Sequence, residues 1–143
     1  VPITNLDIFP TVLEYAGIKN SNLALDGNNL SSILEGKEEI LERSLYWHFP
    51  IYLQAYNVND NENRDPLFRT RPGSVVRKGN WKLHYYFEDN GIELYNLSED
   101  IGEKNNLADA KPEKKEELLK ILNKWWKDTN APIPKTKNPE FKI

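Results

Sequence analysis

The 143-residue sequence has no Cys, no Met and only two His. Without Cys there is no disulfide, no thiol nucleophile and no thiolate metal site, while the compartment stays open, because an exported protein can do without bridges. No apolar run approaches the roughly 20 residues a membrane span requires, and the first residues carry neither a basic nor an apolar leader. The net charge is −3, and no stretch interleaves Lys or Arg with aromatics as a nucleic-acid face would; nucleic acid is not an expected partner. A first residue of Val rather than Met is what an internal junction of a longer protein would give.

What is there reads as one domain, long enough to bury about two thirds of its unfolded surface. Phe9, Val12, Leu13 and Ala16 recur at helical spacing, with Asp7 able to cap and Gly17 to stop, which predicts a short helix over 7–16. Leu30, Ile33 and Leu34 before Gly36 predict a second one. SLYWHFP predicts a strand over 44–49 that ends at Pro50. The polar segment 51–72 is a long loop, of a length more often functional than incidental, and a lid candidate. RKGNWKLHYYFEDNGIELYNL then reads as a meander: a strand over 74–78, a Gly79-Asn80 turn, a strand over 81–88, a turn at 89–91 and a strand over 92–97. Trp81, Leu83, Tyr85 and Phe87 share one face, and Lys82, His84, Tyr86 and Glu88 the other.

Leu118, Ile121, Leu122 and Trp125 form the stripe of a helix over 112–128 that begins at Pro112 and covers the first face. In that register Trp125 is buried, Trp126 lies at the stripe's margin, and Glu116 with Lys120 makes an i, i+4 pair. The Pro-punctuated tail runs extended over the surface or frays. The fold class is α+β: an antiparallel sheet of about four strands packed against a long C-terminal helix, with short N-terminal helices.

Four pieces in order, NLDIFPTVLEYAGI, LDGNNLSSILEG, LYWHFP and VVRKGNWKLHYYFEDNGIELYNLSEDIGEKNNLAD, resemble the C-terminal part of arylsulfatase-type sulfatases, within the alkaline-phosphatase-like superfamily. The resemblance covers nearly the whole chain and implies that 1–18 is the end of a catalytic domain and 19–143 a C-terminal sheet, helix and tail. The implied partners are the protein's own N-terminal catalytic domain and a sulfated carbohydrate or other sulfate ester. The Pro-rich ending is similar to sulfatases of polysaccharide-degrading bacteria, which implies a periplasmic or secreted parent. An apolar face on helix 7–16 would then be left exposed in this chain.

The family's formylglycine, made from Cys or Ser in a Cys/Ser-x-Pro/Ala-x-Arg motif, has no counterpart here, since no Ser has the required neighbours. Formylglycine and calcium are therefore expected in the full-length parent, with no catalytic and no metal residue in this chain, and the isolated chain is expected to be inactive. Asp89-Asn90 resembles the family's metal pair only as a dipeptide; it sits where turn chemistry wants Asp and Asn.

The candidate substrate-binding residues are His48, Tyr52, Arg77 and His84. His48 ends a strand beside the long loop, in a His-aromatic-Pro element like one near the cleft mouth of similar sulfatases; its structural alternative is a half-buried ring bonded to backbone. Tyr52 and Tyr56 can stack on a sugar or anchor the loop. Arg77 can fork onto a sulfate, or pair across strands with Glu93. His84 is either a ligand contact or a solvated strand residue. A stand-alone carbohydrate- or protein-binding module is the alternative function, and a phosphatase or phosphodiesterase relative a third.

Overall fold

In the N-terminal part a single carboxylate organises the chain. The structure, a computed structural model of the protein, describes residues 1–18, 23–37, 43–54 and 68–139, and divides into two units, Val1–Arg43 and Ser44–Ile143. In the first unit a 3-10 turn, Asn5–Asp7, runs into helix α1, Ile8–Tyr15, and a one-turn helix α2 spans Ser31–Leu34. Asp7 sits at the α1 N-cap, but its side chain makes no cap bond to the helix. Instead the fully buried carboxylate accepts the Thr4 N–H at 2.8 Å and the Asn28 N–H at 2.9 Å, and takes the Arg43 guanidinium on both oxygens. Arg43 holds its carboxyl well below the usual carboxylate range, against a burial cost that acts the other way.

Both helices end as their glycines require. Gly17 and Gly36 have φ of 67° and 71°, and each starts a doubly bonded C-terminal turn, such as Gly17 N–H to Glu14 O and Ile18 N–H to Leu13 O. Gly27 has a different reason: a Cβ there would lie 2.0 Å from the Leu6 carbonyl oxygen. Thr11 completes the unit, donating to Asp7 O and accepting the Leu30 N–H. Leu6, Ile8, Phe9, Val12, Tyr15 and Ile18 are each more than half exposed.

The second unit holds the sheet. Strands β1 (Ser44–Phe49), β4 (Gly73–Lys78), β5 (Trp81–Tyr86) and β6 (Ile92–Asn96) form an antiparallel sheet in the order β1-β4-β5-β6. Within the β1–β4 connection, β2 (Leu53–Gln54) pairs with β3 (Phe68–Thr70) as a separate ribbon; the rest of the predicted loop, with Tyr56, lies outside the described residues. Helix α3, Pro112–Asp128, has its expected bounds, with Pro in the first turn. Its C-terminal turn uses Asn130 at φ 49° where the others use Gly.

Alternation decides the two faces of the sheet. Tyr46, Val76, Leu83 and Leu94 lie in one cross-strand row under α3, where Val76, Leu83 and Leu94 close the core with Leu118, Leu122 and Ala108. Each fully buried Leu contributes about 2 kcal/mol of transfer free energy. Leu45, Arg77, Lys82 and Tyr95 form one row of the opposite face, and Trp47, Val75, His84 and Glu93 another.

Trp126 lies half-buried at the margin of the core as expected, and Trp125, expected to be buried, is half-buried too. The Trp126 indole N–H donates to Ser74 Oγ at 2.9 Å and its ring meets Tyr85 and Phe87, while Trp125 stacks on Tyr46 at 4.9 Å. The α3 ion pairs also differ from expectation: Glu117 bridges Lys78 and Lys114, and Lys124 reaches Asp128. Over its described residues the tail is tied down rather than frayed, since Pro132 O bonds His48 of β1 and the Asn138 N–H bonds Glu88 in the turn after β5. The outer edge of β6 is occupied by the chain itself: Asn106 Oδ1 accepts the Leu94 N–H, its amide donates to Ile92 O, and the Leu107 N–H bonds Leu94 O.

Candidate functional site

The structure separates the four candidate residues. His48 lies on the α3 side of the sheet, opposite Ser74; Arg77 and His84 lie on the other face; Tyr52 is half-buried just before β2.

His48 is engaged at both ring nitrogens, with Nδ1 2.7 Å from Ser74 Oγ and Nε2 2.9 Å from Pro132 O. The partners fix the proton positions. A carbonyl only accepts, so Nε2 carries the proton. Trp126 Nε1 only donates, so Ser74 Oγ accepts that bond, and in the neutral imidazole the Ser74 O–H donates to Nδ1. The chain of donors therefore runs Trp126, Ser74, His48, Pro132. A hydroxyl 2.7 Å from an imidazole has the spacing of an activated nucleophile, but Ser74 is 1% exposed and has no access to an ester. His48 reaches a ligand through its nitrogens only by giving up one of these bonds.

On the other face, alternation along β5 puts Lys82, His84 and Tyr86 side by side. Glu103 joins them from the loop after β6, in a left-handed conformation at φ 54° that is uncommon for a residue with a Cβ. Its carboxylate takes Lys82 Nζ at 2.6 Å and His84 Nε2 at 2.9 Å. The loop is held by Asp100, whose Oδ2 accepts the Lys104 and Asn105 N–H groups. Burial pushes the His84 imidazole down from its ordinary value, helped by Lys82 and opposed by Glu103. For Glu103 burial works against the charge, but Lys82 and His84 outweigh it and hold the carboxyl below its ordinary value.

In its neutral form His84 donates Nε2–H to Glu103 and keeps Nδ1 as an acceptor. Beside it, Glu93 accepts the hydroxyls of Tyr86 and Tyr95. Arg77 donates Nε to Gly79 O at 3.1 Å rather than reaching Glu93. On this face Lys82 and His84 are tied to Glu103, and Tyr86 and Tyr95 to Glu93, so the polar groups are held at fixed positions by one another.

The Asp89-Asn90 step is engaged by protein groups. Asp89 accepts the Gly91 N–H and pairs with Arg71, and Asn90 accepts the Tyr85 hydroxyl; among the described residues no group of three or more His, Asp or Glu converges. No helix among the described residues is long and apolar enough to cross a membrane. Ser74, Glu88 and Glu103 carry no separate signal in the sequence, because each acquires its role from a partner far along the chain.

The fold is a four-stranded antiparallel sheet with a helix packed on one face and short helices before it. Residues 2–130 match the family described as N-sulphoglucosamine sulphohydrolase, C-terminal, and the chain belongs to that family. It is similar to a sulfatase of Formosa agariphila, 32% identical over 145 residues, covering 91% of this chain and 24% of that protein. It is also similar to the Delta 4,5-hexuronate-2-O-sulfatase of Bacteroides thetaiotaomicron, 32% identical over 103 residues, covering 72% of this chain and 19% of that protein. A solved 2-O GAG sulfatase superposes with a TM-score of 0.66 at 26% identity, covering 93% of this chain and 27% of that one. The chain spans about a quarter or less of the length of these relatives.

Proposed function

We propose that this chain is the C-terminal part of a sulfatase that hydrolyses sulfate esters of carbohydrates, bracing the catalytic domain and lining part of the substrate cleft. The observation that carries the reading is the family match over residues 2–130 in a chain that spans about a quarter of its sulfatase relatives. The exposed apolar side of α1 supports it, being a surface for the rest of the protein to cover. A GAG sulfatase and a hexuronate sulfatase among the relatives favour a sulfated sugar as the substrate class.

In this reading formylglycine and calcium belong to the upstream domain, where they supply the nucleophile and the charge that stabilises the sulfuryl oxygens. The parent is exported to the periplasm or cell surface. The chain's own residues bind and orient. Arg77 and His84 present a guanidinium and a fixed imidazole acceptor on the face opposite α3. Tyr52 stands at the start of the β1–β4 connection, and His48 holds the end of β1.

Release of sulfate from a sulfated sugar is the test. The chain alone should release none and the full-length parent should, whereas turnover by the chain alone would overturn the division of labour. In the parent, His84→Ala should lower kcat/KM about tenfold, the effect of losing one ligand hydrogen bond. An unchanged value would leave His84 a structural role.

A further inference from the structure

The described tail, residues 131–139, touches the sheet at two places that bracket one feature. At the first, His48 donates Nε2–H to Pro132 O at 2.9 Å; His48 stands just before Phe49 and Pro50, where the chain leaves β1 for the β2–β3 ribbon. At the second, the Asn138 N–H donates to Glu88 Oε1 at 3.1 Å. Glu88 follows Phe87, whose N–H bonds Pro72 O at 3.0 Å, where the chain returns from that ribbon into β4. The Phe87 ring links the two places, edge-on to the His48 ring at 5.9 Å. The re-entry point has little slack, since a Cβ on Gly73 would lie 2.8 Å from Tyr85 O.

Glu88 is the informative residue. It is 4% exposed, and its Oε2 is buried with no hydrogen-bond partner among the described residues. A buried, half-satisfied carboxylate is a costly way to fill space, and an apolar side chain would serve packing better. Its Oε1 instead meets a tail amide 50 positions away, which points to placement rather than stability as its task.

We propose that the tail is a strap that fixes both ends of the β1–β4 connection, with Glu88 and His48 as its positioning residues. The strap acts on the segments that carry Tyr52, β2 and β3. Its consequence for substrate rests on the reading above, that this connection lines the cleft.

The test is amide hydrogen exchange on the chain, comparing the natural sequence with a truncation after Lys135, with Glu88→Ala and with Glu88→Gln. The truncation keeps Pro132 and removes Asn138; Gln keeps an acceptor for the Asn138 N–H. Exchange at 51–54 and 68–73 should rise about tenfold in the truncation and in Glu88→Ala, with Leu83 and Leu94 unchanged and Glu88→Gln near the natural rate. Unchanged exchange at 51–54 and 68–73 in the truncation overturns the strap. A Glu88→Ala protein that also loses protection at Leu83 and Leu94 makes Glu88 a core residue and overturns its positioning role. In the full-length parent the same truncation should raise KM for a sulfated sugar with little change in kcat. Faster exchange with unchanged KM would leave the strap standing and instead sink the reading of the connection as a cleft wall.

Discussion

The two units of this chain are built on opposite plans. Ser44–Ile143 keeps its apolar side chains inside, with Val76, Leu83, Leu94 and Leu122 fully buried between sheet and helix. Val1–Arg43 keeps a carboxylate inside and turns Ile8, Phe9, Val12 and Tyr15 outward. The first plan draws stability from apolar area removed from water, which is proportional and forgiving. The second draws it from a few directed bonds onto Asp7, which are strong only as a complete set. Burial of an acid therefore does not by itself mark a functional centre: Asp7 has every donor it needs and serves the fold.

Substitutions in each unit sharpen this contrast. The largest effect is expected for Leu83→Ala, which opens a cavity at the centre of the sheet–helix core and should lower unfolding free energy in urea by about 4 kcal/mol. Asp7→Ala should cost about 3 kcal/mol of the first unit's own stability, because it strands the partly buried Arg43 guanidinium; a neutral outcome by hydrogen exchange over 1–18 would break the comparison. The same carboxylate sets an acid limit. Its folded pKa is depressed, so its contribution is fully present above the unfolded value near 3.9 and is lost as pH falls below about 4 toward the folded value.

His84 gives a smaller effect at milder pH. Its folded pKa is lowered, so the unfolded chain binds more protons and stability should fall as pH drops through about 6.5 toward the folded value. Melting curves of His84→Gln should lose that dependence. Smallest of all, Phe9→Glu should change the stability of this chain by no more than about 0.5 kcal/mol, since the side chain is already exposed; a large loss would mean that the outward face is part of the unit's own packing.

The elements themselves were legible in the sequence because their signals are local. Period-two alternation placed β5, Gly79-Asn80 placed a turn, and the Leu118–Leu122 stripe with Pro112 placed α3. The bonds that give the candidate site its geometry span long stretches of chain. His48 and Pro132 are 84 positions apart, Ser74 and Trp126 are 52 apart, and no pattern within a window of 18 residues records them. Glu103 was hidden for another reason: its left-handed backbone aims the carboxylate at Lys82 and His84, and sequence gives no sign of that for a residue other than Gly or Asn.

Asn106 has a consequence for self-association. By bonding Leu94 and Ile92 it closes the outer edge of β6 with the chain's own atoms, while β1, with the sequence SLYWHF, pairs on one side only among the described strands. Within the four-stranded sheet, and among the described residues, β1 is thus the border left for an added strand, whereas the β6 side is already closed.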